Sequence, residues 1–419
     1  MDSNALLKLV EADAESHIAL LQSFIRAPSP NPPGDTRLAA DVLVAYLRSH
    51  SISPEIIAPQ PTMPNICSTF TSSKPGPRLI LNGHIDVFPA SDGSDWSRDP
   101  WSGDIVDGRV HGRGGVDMKA GTAASVIAYT YLYQYRNLLS GSLGLCAVSD
   151  EETGGKWGSK YLLELQGSEW KGDCMINAEP GGLGTIRFAE KGTLRLSFEV
   201  NTKGAHGAYV HRSKSATRIA AALIGNLAKI EDIVPNLDPD LEEYMKRKDV
   251  RDAIDETMGK GAADIVLRPT LNIGTIRGGL KVNMIPDQCV FEADIRMPVG
   301  LKAEEVMNVI HEILRGYPEA KVEIQEAASN PAAACSHDHP MVNILAKNAE
   351  TVTGKRPLAV PSIGATDCKF WRYNRVPAYV FGVSPETMGV RDESVSVDEF
   401  LAVVRTHVLA GWEYLGGKI

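Results

Sequence analysis

The stretch EKGTLRLSFEVNTKGAHG, residues 190–207, decides how this chain is divided. From Leu194 to Val200 apolar and polar side chains alternate strictly, the pattern of a half-exposed antiparallel strand. Upstream the pattern is different. From residue 1 to about 190, helical periodicity alternates with short Val/Ile/Leu-rich runs, which suits α/β layering over a largely parallel sheet. Downstream, the reading gives a helix over 213–229, strands over 270–276 and 290–296, a helix over 303–315 and a strand over 321–325. Together with the first strand, that order predicts a split βαβ, ferredoxin-like arrangement. The charged, helical stretch 230–264 is expected as an excursion on it. From about Ala328 the α/β pattern returns and closes on a helix in VDEFLAVVRTHVLAGWEYL. The fold class is therefore α/β with a mixed, mostly parallel sheet from residues 1–190 and 329–419, and an inserted α+β domain from 191–328.

Composition narrows the function classes. The 419 residues fit two domains, and 43% hydrophobic with 23% charged residues is ordinary for a soluble protein. A formal net charge of -9 argues against a general nucleic-acid partner. The N-terminus has helical periodicity with acids interspersed and reads as the first helix of the fold, not as a signal peptide. No apolar stretch approaches the roughly 20 residues that span a bilayer, so no membrane partner is expected. The six cysteines are scattered without CxxC spacing and read as reduced thiols of a cytoplasmic enzyme.

Where apolar runs give way to Gly-rich turns, acids and one imidazole recur. They are His84 and Asp86 in LNGHIDVFPA, Asp117 in GRGGVDMKAG, Glu151 and Glu152 in SDEETGG, and Glu179 in NAEPGG. Strand ends of an open sheet can bring such residues together. One neutral imidazole with three carboxylates is a hard nitrogen-and-oxygen ligand set suited to zinc, or to cobalt or manganese. Metal-assisted hydrolysis is the use these groups suggest.

In order along the chain, HID, then GRGGVDMKAG, DEETGG, AEP, TKGAHGAYVH, GTIRGGLKVNMIPDQCVFEADIRMPVG and GATD closely resemble the dizinc amidohydrolases. That family includes acetylornithine deacetylase, succinyl-diaminopimelate desuccinylase, aminoacylase and glutamate carboxypeptidases, and the match runs from about residue 20 to 410. The resemblance implies a zinc-peptidase-like catalytic domain with a ferredoxin-like lid. It implies that His84 and Glu179 bind one metal, Asp117 bridges and Glu152 binds a second. It further implies that Asp86 holds the His84 tautomer, and that Glu151 is the general base acting on a metal-activated water. His206 would reach from the lid of one subunit into its partner's site to stabilise the oxyanion, making the enzyme a homodimer through the lid. Asn283 and Arg296 would bind the carboxylate of a small amino-acid-like substrate, Gly278 and Gly279 would allow close backbone approach, and Lys191 would face substrate. The implied reaction is cleavage of an N-acyl amino acid or short peptide.

One ligand is missing. Relatives supply a histidine shortly after a strand like VFGV, and alignment on DESVSVDEF puts Gly389 at that position. No histidine lies between His339 and His407. Val210 and Lys369 also depart from the family's usual proline and arginine. Several readings stay open: Asp392, Glu393, Glu386 or a water completes a second zinc site; one ion suffices; the scaffold performs condensation, cyclisation or amide formation with one metal or none; or the chain is a silent binding homologue.

Overall fold

The computed structural model describes residues 1–91, 93–165 and 167–419. Its larger sheet is built on the runs RLILNGH, SLGLCAV and CMIN, which form the strands Arg78–His84, Ser142–Val148 and Cys174–Asn177. They are buried almost throughout, as expected of central strands covered on both faces. Arg78–His84 pairs parallel with both others, so all three end at one edge of the sheet. Ala378–Val380 continues the parallel set beside Cys174–Asn177, and Leu358–Ser362 runs parallel to Thr185–Glu190. Antiparallel strands, Asn65–Thr71 on one flank and Ala333–Ala334 on the other, make the sheet mixed. Helices Ala120–Gln134 and Val397–Tyr414 pack on each other within the same core.

The smaller sheet is antiparallel, with the order Thr270–Gly278, Gln288–Met297, Gly192–Asn201, Ala320–Ile324. The alternation of residues 194–200 is realised directly. Leu194, Leu196, Phe198 and Val200 point into a second core with helices Ala216–Leu227 and Ala303–Leu314, while Arg195, Ser197 and Glu199 take the opposite face. Phe198 and Phe291 stack there at 4.6 Å, and burying a side chain of this kind stabilises by about 1.5–3 kcal/mol.

Two local expectations are corrected. The N-terminal helix is two helices, Ser3–Ala12 and Ala14–Ile25, interrupted at Asp13, whose carboxylate accepts a hydrogen bond from Tyr131 Oη at 2.5 Å. Of the stretch 230–264, only its start stays with the small sheet, through Ile230 and Ile233. Helices Pro239–Lys246 and Lys248–Met258 bury Leu241, Met245, Val250 and Ile254 in the larger core, and Tyr244 Oη donates to the Ala359 carbonyl at 2.8 Å. The i, i+4 apolar stripes need an apolar partner, and the covered face of the small sheet is already occupied by its own two helices.

Candidate active site

The parallel strands deliver the site. His84 is the last residue of its strand, Glu151 and Glu152 lie in the turn after Val148, and Glu179 follows Asn177 by two residues. Asp117 comes from the loop before the helix Ala120–Gln134, with non-helical backbone angles. That loop and helix are fitted closely. Gly114 has a φ of 81°, and a Cβ on Gly121 would sit 2.1 Å from the Ala178 carbonyl oxygen, so only glycine lets the helix approach the segment that carries Glu179. The outcome is convergence: His84 Nε2 lies 3.1 Å from Asp117 Oδ1 and 3.5 Å from Glu179 Oε1.

His84 Nδ1 lies 2.8 Å from the backbone carbonyl oxygen of Asp86, so this nitrogen carries a proton and Nε2 is the ring nitrogen turned toward the carboxylates. The Asp86 carboxylate was expected in that role but stands at 3.6 Å. It is fully buried and instead accepts from Asn31 Nδ2 at 2.8 Å and from the backbone N–H groups of Glu151 and Glu152 at 3.2 and 3.1 Å. Asp86 thus orients His84 with its main chain and holds the Glu151–Glu152 turn with its side chain. A turn of three residues leaves its amide donors free of strand partners, and a buried acceptor satisfies them.

The electrostatics call for positive charge. Burial pushes the Glu151 carboxyl up to about 8 against the pull of Lys369 and His84, and burial with the Asp117 carboxylate pushes Glu152 up to about 10. Burial and Asp117 also raise Glu179 well above the usual carboxylate range. For His84, burial works downward, yet Glu179, Asp117 and Asp86 together raise it well above its ordinary value. Glu152 Oε1 is buried without a hydrogen-bond partner among the described residues. Ligand atoms of His84, Asp117 and Glu152 lie within 4.8 Å of one another, as do those of His84, Glu151 and Glu179. Crowded carboxylates, an orphaned oxygen and an imidazole nitrogen fit a metal cation.

Two of the three carboxylates considered as substitutes for the missing histidine are engaged elsewhere. Glu393 is buried, pairs with Arg113 Nη1 at 2.6 Å and accepts from the backbone N–H groups of Val116 and Asp117 at 2.7 and 3.1 Å. It pins the loop that carries Asp117. Asp392 accepts from the Ser97 backbone N–H at 2.8 Å, and Glu386 is exposed. Gly389 faces the Phe88 ring. His339 caps a helix through Met341 N–H, His337 packs on Tyr244, and His407 is buried against the Phe381 carbonyl.

A cleft of about 910 Å³ is lined by Glu151, Glu152, Lys369, Thr193, Arg195 and Arg296 among others, so the small sheet walls it on one side and the Glu151 turn and the helix of Lys369 on the other. Arg296 lies there, its Nη2 3.0 Å from Asp294 Oδ2 and its Nη1 3.4 Å from Thr193 Oγ1. Lys191 is corrected: it is buried, and its Nζ donates to the Arg268 carbonyl at 2.6 Å instead of facing the cleft. His206, Asn283, Gly278 and Gly279 do not line it either. His206 pairs with Met284 across a short two-stranded ladder, Gly207 N–H donates to the Asn283 carbonyl at 2.7 Å, and all four predicted residues are exposed. Three residues that the sequence reading did not place in the site, Asn31, Asp367 and Arg187, stand within it or hold it, alongside Lys369, which that reading had noted near the pocket. Asn31 bonds Asp86, Lys369 Nζ is 3.9 Å from Glu151 Oε1, and Asp367 is buried with Oδ1 unpartnered. Arg187 is close enough to Glu179 and Asp117 to feel their charge. For Asp367 the signal was present in GATD, one of the matched motifs.

A profile of peptidase family M20/M25/M40 matches residues 80–410. The chain is 27% identical over 406 residues to a succinyl-diaminopimelate desuccinylase of Methylobacterium nodulans, covering 93% of this chain and 94% of that protein. An M20 family metallo-carboxypeptidase from Sulfolobus solfataricus superposes with a TM-score of 0.78 at 18% identity, covering 94% of this chain and 98% of that one. A dinuclear metal-binding peptidase of the M20 family from Bacillus subtilis superposes with a TM-score of 0.61 at 16% identity, covering 95% and 99%.

Proposed function

The chain belongs to peptidase family M20/M25/M40 and is a metallo-amidohydrolase, and from that premise we propose that it cleaves the amide bond of an N-acyl amino acid or short peptide in the cleft between its sheets. The observation that carries the reading is the convergence of His84, Asp117, Glu152 and Glu179 beside Glu151 at one sheet edge. These residues would hold zinc, or cobalt or manganese, and a bound ion supplies Lewis-acid polarisation of the scissile carbonyl and acidification of a water.

Glu151 takes the proton of the attacking water and returns it to the leaving amine. Asp86 fixes the turn from which Glu151 projects, and the Lys369 ammonium faces the same carboxylate. Arg296 receives the substrate carboxylate through guanidinium edges that Asp294 leaves free. His206 and Asn283 act in the cleft of a second subunit, which makes the active form a homodimer through the domain of the small sheet. Their exposure supports this, as does the exposure of Tyr209, Val210, Leu280 and Val282 nearby. The engagement of Glu393 and Asp392 favours one tightly held ion over two. The same gap at Gly389 leaves non-hydrolytic amide chemistry as the second reading.

The test is release of free amine from a panel of N-acyl amino acids and dipeptides by zinc-loaded protein, with Glu151→Gln in parallel and metal content measured per chain. Turnover that survives Glu151→Gln removes Glu151 as the base.

A further inference from the structure

Five cationic side chains line the cleft that contains Glu151 and Glu152: Lys156, Lys160, Arg195, Arg296 and Lys369. Four of them are engaged. Lys160 lies 3.9 Å from Glu164, Arg296 3.0 Å from Asp294 and Lys369 3.9 Å from Glu151, while Lys156 Nζ sits 4.5 Å over the Trp157 ring. Among the described residues the Arg195 guanidinium has no ion pair and no hydrogen bond; the contacts of this residue run through its backbone, whose N–H donates to Ser329 Oγ at 3.0 Å. Glu326 also lines the cleft and makes no ion pair with it.

We infer that Arg195 is a second anion-recognition group of this cleft, and that the ligand it selects is a dicarboxylate, with one carboxylate at Arg296 and the other at Arg195. The inference rests on the amidohydrolase reading of the same cleft and narrows its substrate to molecules with two acidic ends. Register carries the geometry. Thr193 stands opposite Arg296 and Arg195 opposite Asp294, so both arginines rise from one face of the small sheet. Arg195 stands on the neighbouring strand, diagonal to Arg296, a spacing of about 7–8 Å between backbone positions. Side chains rising in parallel from that spacing suit the two ends of a short aliphatic diacid. A guanidinium presents paired N–H donors that match a carboxylate, and an unengaged one in a concave space does so without first giving up an internal partner.

The position is also a fixed one. The chain crosses between the two sheets at residues 190–192 and again near Asn330, where Thr193 N–H donates to the Asn330 carbonyl and Asn330 N–H to the Thr193 carbonyl, each at 2.8 Å. Arg195 is two residues from that crossing. The Arg195 backbone is thereby tied to the segment that joins the two sheets.

The experiment is calorimetric titration of the zinc-loaded protein with adipate and with hexanoate, which share a six-carbon chain and differ in the second carboxylate. Neither has an amide to cleave. The wild type is expected to bind adipate at least tenfold more tightly than hexanoate, and Arg195→Gln is expected to make the two equal while leaving hexanoate binding within twofold. An exposed strand position tolerates this substitution, and an unchanged melting temperature checks it. A wild type without preference, or a preference that survives Arg195→Gln, overturns the inference. Failure to hydrolyse any N-acyl amino acid counts against the proposed reaction and leaves the two-carboxylate result standing by itself.

Discussion

Replacing Asp86 by asparagine separates two ways in which that carboxylate can matter. It takes three hydrogen bonds: Glu151 N–H on Oδ1, and Glu152 N–H and Asn31 Nδ2 on Oδ2. Asparagine keeps one oxygen. With that oxygen in the Oδ2 position it still serves Asn31 and Glu152 but turns its own NH₂ on the Glu151 N–H; flipped, it loses two partners. The better arrangement forfeits one hydrogen bond to a charged group and strands a buried donor, a cost of about 1.5–3 kcal/mol. That corresponds to roughly 10–160-fold in an equilibrium constant. The His84 tautomer is untouched, because its partner is the Asp86 main-chain carbonyl. Urea unfolding of metal-free protein should therefore lose this energy, and kcat should fall at least tenfold as the Glu151 turn loosens. Zinc affinity should change less than threefold. Unchanged stability with zinc affinity reduced 10–100-fold, the usual cost of removing a partner of a ligand histidine, would refute the reasoning and return the Asp86 carboxylate to His84.

Glu151→Gln should lower kcat by roughly 10²–10⁴-fold without shifting the melting temperature, and mixing it with an inactive His206→Ala variant should restore part of the activity if His206 serves the partner's cleft. Glu393→Gln should destabilise the chelator-treated protein by about 3–5 kcal/mol, because it breaks the buried pair with Arg113; a loss seen only in metal-loaded protein would instead make Glu393 a ligand. His407 is fully buried, and burial holds its imidazole down at about 4 from 6.5. Between those values the unfolded chain binds a proton that the folded chain refuses, so stability present above pH 6.5 is lost as pH falls toward 4, by roughly 3 kcal/mol. His407→Gln, which can still donate to the Phe381 carbonyl, should flatten that part of the urea-midpoint profile against pH.

How far the sequence reached can be followed residue by residue. The alternation of Leu194 to Val200 announced its strand because period-two burial is a local property of one strand against one core. The metal cluster was legible for a related reason: parallel strands end at a common edge, so His84, Glu151, Glu152 and Glu179, each placed just where an apolar run stops, had to meet. The helices of 239–258 were legible as helices but not as part of the larger core, since an amphipathic stripe states that it needs a partner without saying which.

The sequence by itself determined the change from α/β to alternating antiparallel pattern, the order of elements, the residues that cluster around the candidate metal position and the absence of an imidazole at Gly389. These are set by local periodicity, by turn chemistry and by the identity of the side chains. Tertiary structure decided how each polar group is satisfied. Whether Asp86 turns its carboxylate or its carbonyl to His84, whether Glu393 is free for a metal or spent on Arg113, whether Lys191 faces the cleft and which arginine there lacks a partner are questions of hydrogen bonding between residues far apart in the chain. A buried donor or acceptor takes whatever partner the packed chain brings within about 3 Å, and sequence spacing does not encode that distance.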